Sequence, residues 1–218
     1  MEEDRVVYVI EDCPEMQRSI RLFLETVGLP GQFFGSAEEF LAAYRPNSHS
    51  VACVVVDMRL PGMDGLALQQ RLASQGCDLP VIFITAFPET TIAVEGMRKG
   101  AVDFLIKPFP MERLLETLEE AFQKSRRSQQ KEALRHHLNT ILQTLTFRER
   151  QVLAHLLKGT EVKQIARQLS ITQKTVLKHR LHLFEKFGLS NAVELVQMIH
   201  QAGLEEQILA EVSSGKLV

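Results

Sequence analysis

Acidic, hydroxyl and amine side chains with the chemistry of phosphoryl transfer follow four separate apolar runs of this chain. They are Glu11, Asp12, Asp57, Thr85 and Lys107. A carboxylate such as Asp57 can attack phosphorus and become an acyl phosphate, provided that a cation offsets its repulsion of the phosphoryl dianion. Glu11 and Asp12 offer oxygen ligands for Mg²⁺, a hard cation that binds carboxylates and phosphate oxygens together. With Lys107 and Thr85 as donors to the phosphoryl oxygens, Asp57 is the predicted acceptor.

The apolar runs predict the elements that position these side chains. They cover residues 6–10, 51–56, 81–84 and 104–106. Runs this short, rich in Val and Ile and separated by helix-like segments, are typical of buried parallel strands. In an open α/β sheet, ligands bind beyond the carboxyl ends of the strands. The side chains that follow the runs are therefore expected to converge on one crevice.

These strand ends resemble those of the receiver domain of bacterial two-component response regulators. The resemblance covers roughly the first half of the chain, and its segment 93–109 is similar to the FixJ-type branch. It implies a flavodoxin-like, doubly wound α/β fold with a five-stranded parallel sheet. It further implies that a sensor histidine kinase phosphorylates Asp57. Mg²⁺ would be bound by Asp12, Asp57 and the backbone carbonyl of Arg59, with Glu11 acting through the hydration shell of the metal.

The same resemblance implies how phosphorylation changes the molecule. Thr85 senses the phosphoryl oxygen, Phe104 is an aromatic switch, and Lys107 completes the switch residues, with a cis Lys107–Pro108 bond. The surface of the fifth strand and of the helix before it then shifts towards a form that makes a homodimer.

Each motif also has a purely structural explanation. Residues 57–65 are compatible with a strand that ends in a turn, with Asp64 capping the next helix. A Phe beside a strand, such as Phe104, is more often a core residue than a switch. The joint presence of acids, Thr and Lys-Pro at separate strand ends favours the phosphorylation site.

Two other functions compete with phosphorylation-controlled regulation. A phosphatase of the haloacid-dehalogenase type needs a second acid two residues after its nucleophile, where this chain has Arg59. A DNA-binding regulator or adaptor independent of phosphorylation is the main alternative, but such proteins have usually lost an acid, the Thr or the Lys. We therefore expect no enzymatic activity beyond phosphorylation and dephosphorylation of the chain itself.

The composition is typical of a soluble intracellular protein. The 218 residues are 45% hydrophobic and 24% charged, enough for one or two ordinary cores. No apolar run approaches the ~18 residues of a membrane span, and no signal peptide opens the chain. Cys13, Cys53 and Cys77 are odd in number and lack metal or redox spacing, which favours buried thiols in a reducing compartment. We expect a cytoplasmic protein without a membrane partner.

The net charge of −2 is divided unequally along the chain. Residues 1–122 carry 10 Lys and Arg against 19 Asp and Glu, a net charge of −9, whereas residues 123–218 carry 15 against 8, a net charge of +7. This asymmetry predicts an acidic, metal-binding domain joined to a domain that meets a polyanion. The predicted division is a receiver domain at 1–122, a linker at 123–143 and a DNA-binding domain at 144–218.

The linker is predicted to be helical. It has no Gly or Pro, and its apolar residues recur at near-helical spacing, so a helix continuing from Met111 is favoured over a flexible coil. Its basic run, 124–132, is more often a solvated face than a DNA contact.

The basic domain has the pattern of a helix-turn-helix. Thr146 to Glu149 form a capping box before a helix that stops at Gly159, a second helix covers about 161–169, and a third begins after Thr172. The third helix is cationic on its outward face. An all-α helix-turn-helix domain whose third helix enters the major groove is therefore predicted.

Residues 145–199 resemble the LuxR-type DNA-binding domain. The agreement includes Leu145-Thr146, the segment 148–153, Gly159, Lys174-Thr175-Val176, His179, Lys186 and Gly188-Leu189. The resemblance implies a transcription regulator that binds double-stranded promoter DNA and acts with RNA polymerase. The candidate DNA contacts are Lys174, Thr175, Lys178, His179 and His182. For each His, a packed or merely exposed ring is an equal alternative.

Two leucines depart from the family pattern on the third helix. Leu177 stands where the family frequently has Lys, and Leu181 occupies a position that is often polar or basic. Leu177 beside Lys178 predicts that part of the base readout is apolar, as in a contact with a thymine methyl group.

Overall fold

The computed structural model describes residues 5–45, 50–86 and 96–214, which belong to two compact units. The first unit comprises residues 1–129 and the second residues 130–218. Each unit has its own core. The expectation that the three cysteines are buried holds for Cys53, whereas Cys77 is half-buried and Cys13 is exposed.

The first unit contains a five-stranded parallel sheet. Its strands are β1 (Arg5–Ile10), β2 (Gly31–Phe34), β3 (Val51–Asp57), β4 (Val81–Thr85) and β5 (Asp103–Ile106). Their order is β2-β1-β3-β4-β5, and each neighbouring pair is parallel. This order is that of the flavodoxin-like doubly wound fold, so the predicted fold class is confirmed.

Two apolar layers cover the faces of this sheet. The helices are α1 (Pro14–Thr26), α2 (Ala37–Ala43), α3 (Gly65–Ser74) and the first part of α4 (Met111–Gln143). Successive β3 side chains point to opposite faces, so Val54 packs in the layer of Phe40 and Leu68, whereas Val55 packs in the layer of Ile20 and Leu118. The helix implied between β4 and β5 falls largely on residues 87–95, outside the described part of the chain.

Side-chain caps fix where the helices beside the strand ends begin. Asp64 caps α3 by accepting the Ala67 N–H at 2.7 Å, and Ser36 caps α2 by accepting the Glu39 N–H at 3.1 Å. The structural role considered for Asp64 is thus confirmed.

The connector is helical, as predicted. Helix α4 runs without a break from Met111 to Gln143. Its residues Leu114 and Leu118 are buried in the first unit, while Leu138 and Leu142 are buried in the second.

The second unit is a bundle of helices. Besides the end of α4, it contains α5 (Phe147–Leu157), α6 (Val162–Gln168), α7 (Gln173–Phe187), α8 (Ala192–Ala202) and α9 (Glu205–Ser214). The capping box of Thr146 and Glu149 is present, and Thr172 caps α7. Val176 and Leu183 of α7 are fully buried. Helices α6 and α7 form the predicted helix-turn-helix.

Among the helices of the described residues, none combines the length and apolar content that a membrane crossing requires.

Candidate functional site

The predicted phosphorylation residues meet at the carboxyl edge of the sheet. Glu11 follows β1, Asp57 ends β3, Thr85 ends β4 and Lys107 follows β5. Oxygen atoms of Glu11, Asp12 and Asp57 lie within 4.8 Å of one another. The crevice expected from the strand ends is therefore present.

Lys107 neutralises two of the acids. Its Nζ lies 2.6 Å from Oε2 of Glu11 and 2.5 Å from Oδ2 of Asp57. Burial disfavours the charged ammonium, but the hydrogen bonds to Asp57 and Glu11 outweigh it and raise the pKa of Lys107. Burial likewise raises the pKa of Glu11, although Lys107 opposes that rise. Lys107 therefore remains cationic beside its acids at neutral pH.

The Asp57 carboxylate is held at both oxygens. Oδ1 accepts the Arg59 N–H at 2.8 Å, while Oδ2 faces Lys107. A Cβ on Gly65, at the start of α3, would stand 2.8 Å from the Asp57 carbonyl oxygen. Glycine therefore allows α3 to begin directly against the end of β3.

The donor set suits a hard divalent cation. Three carboxylates converge, and oxygen is the ligand type that Mg²⁺ prefers. Glu11 is 1% exposed, whereas Asp12 lies on the solvent side of the cluster. A metal ion entering from solvent would therefore meet Asp12 first.

The switch candidates Thr85 and Phe104 belong to β4 and β5, the strands whose carboxyl ends reach this cluster. Thr85 is fully buried, and its backbone carbonyl accepts the Lys107 N–H at 2.7 Å. The half-buried ring of Phe104 lies 6.3 Å from that of Phe83, measured between centroids. The contact with Phe83 shows that Phe104 packs on the core. The expected cis bond between Lys107 and Pro108 is confirmed.

Two residues that the sequence analysis did not identify support the site. Gln17 of α1 donates from Nε2 to the carbonyl oxygens of Glu11 at 2.6 Å and Phe34 at 3.2 Å, which ties the ends of β1 and β2 together. Glu38 of α2 accepts the Met63 N–H at 2.9 Å and thereby holds the loop after Asp57. The Glu38 contact joins residues 25 positions apart, so no local motif indicates it.

The exposed face of α7 is part basic and part apolar. The exposed side chains of this helix include Lys174, Leu177, Lys178, Leu181 and Glu185, whereas Thr175, His179 and His182 are half-buried. Lys174 and Lys178 thus lie where a polyanion can reach them.

Two of the three half-buried candidate contacts, Thr175 and His182, have polar partners within the unit. The Thr175 hydroxyl lies 2.9 Å from that of Thr172, at the start of α7. The His182 Nδ1 lies 3.6 Å from Oε1 of Glu149. The Nδ1 of His179 is buried without a hydrogen-bond partner among the described residues.

Glu149 connects α5 to α7. It is 3% exposed, and its Oε2 lies 2.8 Å from Nζ of Lys186 and accepts the Thr146 N–H at 2.9 Å. Burial alone would raise the pKa of Glu149, but the hydrogen bonds from Lys186 and Thr146 outweigh it and lower the pKa. This ionised carboxylate fixes α7 against the start of α5.

Comparison with known proteins identifies both halves of the chain. The family model "Response regulator receiver domain" matches residues 7–119, and "Bacterial regulatory proteins, luxR family" matches residues 143–199. "Transcriptional regulatory protein FixJ" of Bradyrhizobium diazoefficiens is 34% identical over 198 residues, covering 91% of this chain and 96% of that protein. "Nodulation protein W" of the same species is 35% identical, covering 91% and 87%.

Two solved structures are similar over most of the chain as well. The response regulator StyR superposes with a TM-score of 0.72 at 32% identity, covering 91% of this chain and 99% of that chain. Full-length FixJ from B. japonicum gives a TM-score of 0.55 at 34% identity, covering 91% and 97%.

Proposed function

The chain belongs to the response regulators that join a receiver domain to a LuxR-type DNA-binding domain, and on this premise we propose that Asp57 is its phosphoacceptor. As in this family, it regulates transcription through DNA binding that depends on phosphorylation. The observation that carries the proposal is the convergence of Glu11, Asp12 and Lys107 on the carboxylate of Asp57.

Phosphoryl transfer to Asp57 is a displacement at phosphorus. A carboxylate oxygen of Asp57 forms the new O–P bond while the bond from phosphorus to the imidazole nitrogen of the sensor histidine kinase breaks, and that imidazole regains a proton. Lys107 already lies within hydrogen-bond distance of Oδ2 and can follow the negative charge onto the phosphoryl oxygens. Its cationic state at neutral pH suits this role.

The metal proposed for the site is Mg²⁺. Asp12, Asp57 and the backbone carbonyl of Arg59 would hold it, with Glu11 acting through its hydration shell. The ion would supply positive charge that offsets repulsion between the phosphoryl group and the acids. Glu38 and Gln17 keep the backbone of these ligands in place.

We assign Thr85 and Phe104 to the response that follows phosphorylation. Thr85 would donate its hydroxyl to a phosphoryl oxygen and Phe104 would follow it, which changes the surface at β5. The phosphorylated chain would then form a homodimer, whose two DNA-binding domains engage paired half-sites more tightly than one domain does. RNA polymerase is the proposed final partner.

The functional division that we propose is a receiver at 1–122, a helical linker at 123–143 and a DNA-binding domain at 144–218. Lys174, Thr175, Lys178, His179 and His182 are the proposed DNA contacts. A promoter-binding protein that receives phosphate from a kinase works in the bacterial cytoplasm, and we place this chain there.

Replacing Lys178 with Ala should weaken DNA binding and leave Asp57 phosphorylation unchanged, because the two units have separate cores. If Lys178 contacts a phosphate, the affinity for every DNA sequence falls by the same factor. The slope of the logarithm of affinity against the logarithm of salt concentration then decreases in magnitude by about 1. If it contacts a base, the loss is ~1–3 kcal/mol at the specific site. Binding isotherms at several salt concentrations, on duplexes selected from a random library, distinguish these cases.

Lys158→Ala is the matched control, because it removes an exposed lysine at the end of α5 rather than one on α7. It should keep the affinity of the unaltered chain. Equal affinity and salt slope for Lys178→Ala and the unaltered chain would show that this face of α7 does not meet DNA.

A further inference from the structure

Two large apolar side chains lie exposed on helix α7. Leu177 is 52% exposed and Leu181 is 56% exposed, whereas Leu183 of the same helix is fully buried. Residues four positions apart lie on the same side of a helix, one turn from each other. The two leucines therefore form one small apolar strip, which we call the leucine strip.

The charges beside the leucine strip indicate what can cover it. Lys174 and Lys178 are exposed on the same side of α7, and the acidic Glu185 is exposed one turn beyond Leu181, so the lysines outnumber the acid. A partner that buried the leucines against an apolar surface would also have to desolvate these ammonium groups, which is costly without counter-charges. A polyanion that also carries apolar groups satisfies both kinds of side chain.

The major groove of DNA has this combination of chemistry. Phosphates line its edges, and thymine alone among the four bases presents a methyl group there. We propose that Leu177 and Leu181 pack against thymine methyl groups and give this regulator a preference for thymine at two neighbouring positions. The inference rests on the proposed entry of α7 into the major groove.

Helix dimensions limit the distance between those positions. Four residues advance about 6 Å along an α-helix. Stacked base pairs are about 3.4 Å apart along each strand. The two thymines should therefore lie within about two base-pair steps of each other, on either strand.

Replacing thymine with deoxyuridine tests the proposal. Deoxyuridine pairs in the same way but lacks the 5-methyl group, so single replacements across a duplex selected by the phosphorylated full chain measure each methyl contact. Loss of one buried methyl group should weaken binding about fourfold. The unaltered chain should show this loss at two positions close together.

Variants assign each methyl group to a leucine. At one of the two sensitive positions, replacing thymine with deoxyuridine should no longer change the affinity of Leu177→Ala. At the other position, the same replacement should no longer change the affinity of Leu181→Ala. Val193→Ala serves as control, since it removes a side chain that is 65% exposed on α8. Val193→Ala should still lose affinity when deoxyuridine replaces thymine at either position.

Three outcomes overturn the inference. The first is an unaltered chain that binds every deoxyuridine duplex as tightly as the thymine duplex. The second is a pair of alanine variants that still lose affinity at both deoxyuridine positions, which would mean that other residues contact the methyl groups and the leucine strip does not. In the third, the full chain selects no duplex, which rejects the proposed DNA binding itself and is thus distinguishable from the other two.

Discussion

Asp57→Asn is expected to take up no phosphoryl group, whereas the unaltered chain takes up one from acetyl phosphate or a phosphoramidate in Mg²⁺. The amide has no anionic oxygen with which to attack phosphorus. Asn is nearly the same size as Asp and can still accept the N–H of Arg59, so the fold should survive. Intact-mass measurement of both proteins after the same exposure gives the result.

Two controls show whether phosphorylation depends on the metal and on the other acids of the site. Chelation of the metal should leave the unaltered chain unmodified. Asp12→Asn, which removes one carboxylate of the cluster but not the acceptor, should be phosphorylated more slowly, and Glu11→Gln should be affected less. Undiminished phosphorylation of Asp57→Asn would reject the assignment.

Glu149→Ala is expected to destabilise the second unit by about 2 kcal/mol, because it removes the hydrogen bonds of a charged carboxylate to Lys186 and Thr146 together with the capping box. The substitution leaves Lys186 and the Thr146 N–H without their carboxylate, although Lys186 can still reach solvent. Hydrogen exchange of the α5 and α7 amides in the full chain measures the unfolding free energy of this unit. Glu149→Gln, which keeps an acceptor for the Thr146 N–H, should lower the unfolding free energy of this unit by less.

The stability difference between the unaltered chain and Glu149→Gln should depend on pH. Because the pKa of Glu149 is lowered in the folded state, its contribution is complete above the ordinary value of 4.5 and is lost as the pH falls through the folded pKa. The difference should therefore shrink in acid.

Glu194→Gln is the matched control for Glu149. Glu194 occupies the same place in the cap of α8, but it is exposed. Its replacement should change stability by less than about 0.5 kcal/mol. A Glu149→Ala variant as stable as the unaltered chain would contradict the role given to Glu149.

Elements with a strong local signal were predictable from the sequence. The apolar runs became β1, β3, β4 and β5, and the capping box and the Thr172 cap marked the starts of α5 and α7. These signals are local because a run of buried residues or a cap involves neighbours in sequence. The convergence of the acids followed from a general rule for parallel sheets.

Features that depend on distant contacts were not predictable. Strand β2 is short and only partly buried, so no apolar run reveals it. Gln17 and Glu38 gain their roles from carbonyl and amide groups that the fold brings near them. The pairing of His182 with Glu149 likewise requires α5 and α7 to be packed together.

The central claim is that phosphate on Asp57 controls DNA binding by the second unit. The most direct measurement is the affinity of the full chain for a selected duplex with and without acetyl phosphate and Mg²⁺, for the unaltered protein and Asp57→Asn side by side. We predict that the donor raises the affinity of the unaltered chain about tenfold or more, within the usual range of allosteric coupling, and leaves Asp57→Asn unchanged. An unaltered chain that binds equally with and without the donor, or an Asp57→Asn variant that responds equally well, would contradict the claim.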